Sequence, residues 1–257
     1  MNLSLLQRWQ GGFQGLLVSS PQTPGQFSAL ERQALFQKVI AQLHLSTTIP
    51  VIDWPAWLGS QPSKITLLLH LFPLALFRHD YPQPFAETLN QLKDLGYLSA
   101  ADQTAIAQWF DLLTVIQRSP VSPLPALTQL SDRLTPHEDS LSSPLAIGLR
   151  YFLETPGQFA LSWQRAAHQS LETLFFTSSF SGLYNGWIGI PNPWQYAIVS
   201  PNLAKSLYRQ WLGALPQAIP DHCVTAIPNT MQYRPSLKLI SFSEASVAET
   251  LVVQEGS

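Results

Sequence analysis

The sequence predicts an all-α fold, a compact body of many packed helices, and three observations carry that prediction. Two capping motifs, at residues 28–31 and 99–102, each precede apolar residues that recur at helical spacing. The longest apolar run, residues 65–77, is long enough for a helix but well short of the roughly 20 residues that span a bilayer. With 257 residues, 46% of them hydrophobic, the chain can bury a large core.

The first capping motif predicts a helix over residues 29–44. The side chains of Ser28 and Glu31 can satisfy backbone N–H groups that have no partner at a helix start. The apolar positions behind them fall on one helical face: Leu30, Leu35, Phe36, Val39, Ile40 and Leu43. Residues 65–77 are predicted to form a buried helix, in which His70 is a core histidine with one hydrogen-bond partner.

Further helix boundaries are predicted in the second half of the chain. Ser99 and Asp102 form the second capping motif and begin a long amphipathic helix. Pro144 stands at a first helical turn, where the missing N–H of proline costs nothing. Residues 156–157, Pro-Gly, end that helix, and the spacing behind them predicts a new helix that includes Phe159.

Two segments rich in proline and serine, residues 119–125 and 135–143, are predicted to form a long surface connection between two helical halves. Nothing in their composition demands a domain boundary there.

The C-terminal part of the chain has a different pattern. Residues 236–253 alternate apolar and polar side chains in places and are predicted to form a short strand or hairpin. Residues 254–257 are predicted to be disordered. The expected organisation is therefore a helical domain over residues 1–235 and an appendage with a tail over residues 236–257.

Composition excludes several classes of partner. The net charge is -2, only 12% of residues are charged, and no cluster of Lys and Arg predicts binding to nucleic acid or an anionic membrane. No segment is predicted to span a membrane, and the N-terminus lacks the pattern of a signal peptide. A single cysteine, Cys223, fits a reducing compartment. A cytoplasmic protein is therefore expected.

Two pairs of glycines occur at a spacing of four residues. Gly11 with Gly15, and Gly182 with Gly186, each place two positions without side chains on one helix face. Glycine within a helix costs about 1 kcal/mol relative to alanine, so these pairs predict a tight helix crossing. A ligand pocket that uses the same close approach is the alternative.

Residues 143–194 contain a recognisable pattern around the second glycine pair. The segment 181–186, Ser-Gly-Leu-Tyr-Asn-Gly, followed by Ile190, Pro191 and Trp194, resembles the last core helix of the ADP-ribosylglycohydrolase family. Members of that family remove ADP-ribose from proteins with the help of two magnesium ions. The resemblance therefore implies an ADP-ribosylglycohydrolase-like helical domain.

The resemblance also implies where metal ligands would stand. In the family this helix opens with Gly-Asp-x-Asp-Thr, and counting back from Gly182 aligns Thr173 and Phe175 with the aspartates and Phe176 with the threonine. The family's first helix resembles the segment that begins at Gly11, with Ser19 and Ser20 where it has an acid.

Those substitutions remove the chemistry of the resembled site. Magnesium prefers oxygen ligands, mostly carboxylates, whereas phenylalanine offers hydrocarbon. The family's usual Asp-Asp pair has no counterpart, because the sequence contains no two consecutive aspartates. We therefore expect no metal and no cofactor, and we expect a catalytically inactive protein.

Three hypotheses for function follow. The first is a pseudoenzyme that acts as a binding or regulatory module, with Ser178, Ser179 and Asn185 in a cleft that holds an ADP-ribose-like nucleotide. The second is a scaffold or assembly factor whose cleft is filled by Phe175 and Phe176 and which binds a protein partner through exposed aromatic residues. The third is an active ADP-ribosyl hydrolase with relocated metal ligands. An open polar cleft beside Phe175 would favour the first hypothesis, and aromatic packing there would favour the second.

Overall fold

The computed structural model describes residues 3–18, 28–44, 52–119, 122–134, 140–197 and 201–212. The chain divides into two units, Met1–Ile219 and Pro220–Ser257, and all the described residues belong to the first. The predicted strand or hairpin over residues 236–253 lies outside the described residues, as do Ser19 and Ser20. The boundary expected at residue 235 stays a prediction.

All the regular secondary structure of the described residues is helical, which confirms the all-α fold class. The helices are α1 (Leu5–Val18), α2 (Ala29–His44), α3 (Trp54–Leu58), α4 (Lys64–Phe77), α5 (Pro82–Asp94), α6 (Ala100–Arg118), α7 (Leu124–Ser131), α8 (Ser142–Glu154), α9 (Phe159–Ala166), α10 (Leu171–Asn185), α11 (Asn192–Ala197) and α12 (Pro201–Trp211). A 3₁₀ turn, Trp187–Gly189, connects α10 to α11. Among the described residues, no helix has both the length and the hydropathy needed to cross a bilayer.

Helix α10 lies at the centre of this body. Every residue from Thr173 to Leu183 is buried, as expected of a helix with neighbours on several sides. Helix α1 makes the most extensive contact with it, α8 and α9 cover further parts of its surface, and α4 and α6 also reach it. Helix α12 packs against α1, α2 and α4.

The predicted capping motifs are confirmed. The Ser28 hydroxyl accepts a hydrogen bond from the backbone N–H of Glu31, and the Glu31 carboxylate accepts one from the N–H of Ser28 at 2.6 Å. Helix α2 has the predicted bounds. Ser99 caps α6 in the same way, while the Asp102 carboxylate accepts a hydrogen bond from the N–H of Leu141 at 2.8 Å and so ties α6 to the start of α8.

Two other local predictions are confirmed. Helix α8 ends at Glu154, just before residues 156–157, and α9 begins at Phe159. Helix α4 is buried along almost its whole length, and the Nδ1 of its His70 donates to the carbonyl oxygen of Thr66 at 2.8 Å.

The prediction that residues 119–125 and 135–143 form a long surface connection is wrong in part. Helix α7 begins at Leu124, within the first of these segments, and its Leu127 is fully buried. Ser140, Leu141 and Ser142 are buried as well. The prolines misled the prediction because one of them, Pro125, stands in the first turn of α7, a position where proline favours a helix start.

Candidate functional site: the crossing of α1 and α10

The predicted glycine pairs meet where α1 crosses α10. A Cβ atom added to Gly11 would collide with the carbonyl oxygen of Gly182 and would lie 2.5 Å from the Cα of Gly186. A Cβ added to Gly182 would collide with the carbonyl oxygen of Gly11. A Cβ on Gly15 would lie 2.7 Å from the carbonyl oxygen of Ser178. The two helices therefore touch backbone to backbone, and no side chain larger than hydrogen fits between them.

A second close approach lies between α10 and α8. A Cβ on Gly148 of α8 would lie 2.9 Å from the Cβ of Phe176 and 3.1 Å from the carbonyl oxygen of Thr173. The hydroxyl of Thr177 donates to the carbonyl oxygen of Thr173 at 2.9 Å and reaches that of Gly148 at 3.3 Å. Helix α10 is therefore held tightly by α1 and by α8.

The positions of α10 that the resemblance aligns with the family's metal-binding motif lie in the interior of the protein. Thr173, Phe175 and Phe176 are all buried, and Phe175 is only 1% exposed. The ring of Phe175 lies 5.4 Å from that of Trp109, 5.6 Å from that of Phe176 and 6.3 Å from that of Phe72. Among the described residues, aromatic rings thus surround the Phe175 side chain and leave it almost without exposure to solvent.

The hydroxyl groups beside these phenylalanines are also enclosed. The Ser179 hydroxyl donates to the carbonyl oxygen of Phe176 at 2.8 Å and accepts from the indole N–H of Trp109 at 3.3 Å. Ser178 is fully buried, and its hydroxyl has no hydrogen-bond partner within the described part of the chain.

Asn185 is half-buried at the C-terminal end of α10. Its side-chain amide donates to the carbonyl oxygens of Pro156 and Ser181 at 2.8 and 2.9 Å. Gly186 follows with a φ of 62°, a left-handed conformation in which a glycine commonly ends a helix. Asn185 therefore fixes the turn before α9 to the end of α10.

Carboxylates do not gather around this crossing. Glu172 is the acidic residue in the first turn of α10, next to Thr173. In the described ranges of the chain, no group of three or more His, Cys, Asp or Glu side chains is placed to hold a metal ion.

Burial lowers the pKa of two arginines that contact helix ends near α1. Desolvation lowers the pKa of Arg32 to about 10, while its guanidinium donates to the carbonyl oxygen of Leu16, in the last turn of α1, at 2.8 Å. A cation at this position interacts favourably with the negative, C-terminal end of the α1 dipole. Desolvation also lowers the pKa of Arg8, which donates to the carbonyl oxygen of Ser119 at 3.4 Å. Both arginines thus stabilise helix ends.

A rigid surface segment begins where α10 ends. It comprises residues 187–194, Trp-Ile-Gly-Ile-Pro-Asn-Pro-Trp, and is called the tryptophan segment below. The amide of Gln195 donates to the carbonyl oxygens of Trp187 and Ile190 at 2.9 and 2.6 Å, and the amide of Gln14 donates to that of Trp194. The Ile188 side chain is 59% exposed between these fixed points.

The tryptophan segment lies within a long uncharged stretch of the sequence. No Asp, Glu, Lys, Arg or His occurs between Glu172 and Lys205. The ring of Trp194 packs on that of Trp163 at 5.1 Å and on that of Phe159 at 6.0 Å, which attaches the segment to α9.

An additional groove lies on the far side of α8. It has a volume of about 470 Å³ and is lined by Ser131, Leu134, Ala146, Ile147, Arg150, Leu153 and Glu154. None of the predicted site residues lines it.

Sequence reasoning missed the residue that closes the site. Trp109 of α6 contacts Phe175, Phe176 and the Ser179 hydroxyl, and helical spacing identified it only as an apolar position. Its role depends on the approach of α6 to α10, for which the sequence carries no local signal.

No protein-family model, curated protein or solved structure matches this chain. The resemblance to the ADP-ribosylglycohydrolase family therefore rests on the sequence pattern of residues 143–194 and on the segment that begins at Gly11.

Proposed function

We propose that this chain is a non-catalytic relative of the ADP-ribosylglycohydrolases that acts as a scaffold or assembly factor by binding another protein. One observation carries the proposal: the Phe175 side chain, aligned with a metal ligand, is enclosed by the rings of Trp109, Phe176 and Phe72. A cleft filled by aromatic side chains holds neither a nucleotide nor a hydrated magnesium ion.

The polar groups that a nucleotide would need are engaged elsewhere. Ser179 and Asn185 donate to backbone carbonyl oxygens, and the Ser178 side chain is fully buried. Ser178 and Ser179 are fully buried, so a nucleotide could reach their hydroxyl groups only if the helices packed on α10 moved apart. The geometry therefore favours a protein partner over an ADP-ribose-like ligand.

The tryptophan segment is the surface that we assign to this partner. Tryptophan is enriched among the residues that dominate binding energy at protein interfaces, and a rigid segment loses little conformational entropy on binding. The hydrogen bonds of Gln14 and Gln195 supply that rigidity. The sequence on both sides of Ile188 is uncharged from residue 173 to residue 204, and charged residues are depleted at the centre of interfaces.

Replacement of Ile188 by glutamate is expected to weaken binding of the partner protein strongly. A charge at the centre of an apolar interface should weaken binding by about 2 kcal/mol or more, about 30-fold in affinity. Tagged wild-type and I188E proteins would be purified from the organism's own cells, and the recovered proteins quantified by mass spectrometry. The affinity for the partner so found would then be measured with purified components.

The matched control is Leu30→Glu, because Leu30 is an exposed apolar residue of similar accessibility, 63%, on α2. The proposal requires a protein that both the wild type and L30E recover and that I188E loses. Recovery of the same proteins by all three would contradict the assignment of this surface.

A further inference from the structure

His79 lies where three helices meet, just beyond the C-terminal end of α4. The side chain is 4% exposed. Its ring packs at 5.8 Å and 90° against Trp9 of α1, and at 5.4 Å against Trp211 of α12. Trp211 is near the end of α12, so the contact that covers His79 is also one that attaches this helix to the rest of the fold.

The polar contacts of His79 indicate which tautomer its neutral ring adopts. Its Nδ1 donates to the carbonyl oxygen of Leu76 at 2.8 Å, which places the single proton of the neutral ring on Nδ1. A second proton would go to Nε2, which lies 3.4 Å from the Asp80 carboxylate. Burial lowers the pKa of His79, with a further lowering from Arg118, although the Leu76 hydrogen bond and Asp80 act in the opposite direction.

Within the described ranges of the chain, few charged groups lie near this ring. Arg118 of α6 donates to the carbonyl oxygen of His79 at 2.6 Å and lies 3.5 Å from the Asp80 carboxylate, so it competes for the same negative charge. On α1, Arg8 precedes Trp9 and donates to the carbonyl oxygen of Ser119. On α12, Lys205 and Arg209 lie on the exposed side of the helix. Among the described residues, Asp80 is thus the acid that faces the His79 ring, and its carboxylate also interacts with Arg118.

We propose that α12 is a pH-sensitive element, whose docking on α1 and α4 weakens when His79 takes up a second proton. The physical reason is linkage: docked α12 keeps water from His79 and so disfavours the charged ring, and the charged ring must disfavour docking by the same factor. Because the docked state binds the proton less tightly, docking is strongest above the pKa of an exposed histidine and weakens as the pH falls below it. Opening of α12 uncovers Trp9, whose ring also packs on Tyr208 and Trp211.

The first test measures how the docking of α12 changes the pKa of His79. The pKa of His79 would be determined by NMR titration in the wild type, in Trp211→Ala and in Leu212→Ala, with the signal assigned from His79→Gln. Leu212 is 60% exposed beside Trp211, so L212A controls for a change at the helix end. We expect a higher pKa for His79 in W211A and no change in L212A. An unchanged pKa in W211A would overturn the proposal.

The second test measures how protonation of His79 changes the amide protection of α12. Amide hydrogen exchange would be compared at about pH 7.5 and about pH 5.5, values that bracket the pKa of an exposed histidine, after correction for intrinsic exchange rates. We expect the protection of α12 in the wild type to fall at the lower pH, while α10 serves as an internal reference and stays protected. In His79→Gln the protection of α12 should not respond to pH. Equal responses in the wild type and H79Q would overturn the proposal.

Discussion

Replacement of Phe175 by aspartate, the residue that the resembled family has at the aligned position, is expected to unfold the protein. The side chain is enclosed by the rings of Trp109, Phe176 and Phe72. Loss of a buried phenylalanine costs about 3–5 kcal/mol, and a carboxylate without a partner in that space adds several more. The sum, about 6 kcal/mol or more, approaches the whole stability of an ordinary domain. Circular dichroism and urea denaturation would measure it.

Two control variants separate burial of charge from other effects. Phe175→Leu keeps an apolar side chain and should cost about 1 kcal/mol. Tyr81→Asp introduces the same charge in place of an aromatic residue that is 65% exposed at the N-cap of α5, where aspartate is a favoured residue, and should not lower stability. A folded F175D protein, above all one that magnesium stabilises, would contradict the account, because it would mean that a metal site persists beneath the aromatic rings.

The second large effect is expected at the helix crossing. Gly11→Ala places a Cβ against the carbonyl oxygen of Gly182 and 2.5 Å from the Cα of Gly186. Both obstacles are backbone atoms, so no side-chain rotation relieves the clash, and α1 must move away from α10. Overpacking of this kind costs about 1–3 kcal/mol or more, which exceeds the gain of about 1 kcal/mol in helix propensity. The midpoint of urea denaturation should therefore fall.

Gly157→Ala is the matched control. No atom lies within 4 Å of the position that its Cβ would occupy, and its φ is not in the left-handed region. Its stability should stay within about 0.5 kcal/mol of the wild type. If G11A were as stable as G157A, the backbone contact between α1 and α10 would not exist in solution.

Local signals account for the part of the fold that could be predicted. Helix α2 has its predicted bounds because Ser28 and Glu31 satisfy the free N–H groups of its own first turn. The break between α8 and α9 coincides with a Pro-Gly sequence. In each case the deciding residues lie within a few positions of the feature.

The candidate site depends on contacts that are distant in sequence, and these were not predictable in the same way. The glycine spacing indicated a tight crossing, yet it carries no signal that Phe175 would meet Phe72 of α4 and Trp109 of α6. Helix α7 was missed for a related reason: the burial of Leu127 stabilises a helix in a segment whose prolines suggested a loop. The local sequence allowed either a helix or a loop there, and tertiary packing stabilised the helix.

The central claim of the proposal is that aromatic side chains fill the place where the resembled family holds its nucleotide and metal ions. Its most direct test is a calorimetric titration of the folded protein with ADP-ribose, run once with magnesium and once with a chelator, with an active ADP-ribosyl hydrolase as the positive control. We predict no binding heat in either buffer. Saturable binding that ignores the chelator would mean that an open polar cleft exists, and binding only with magnesium would mean that other carboxylates hold the metal; either result would contradict the claim.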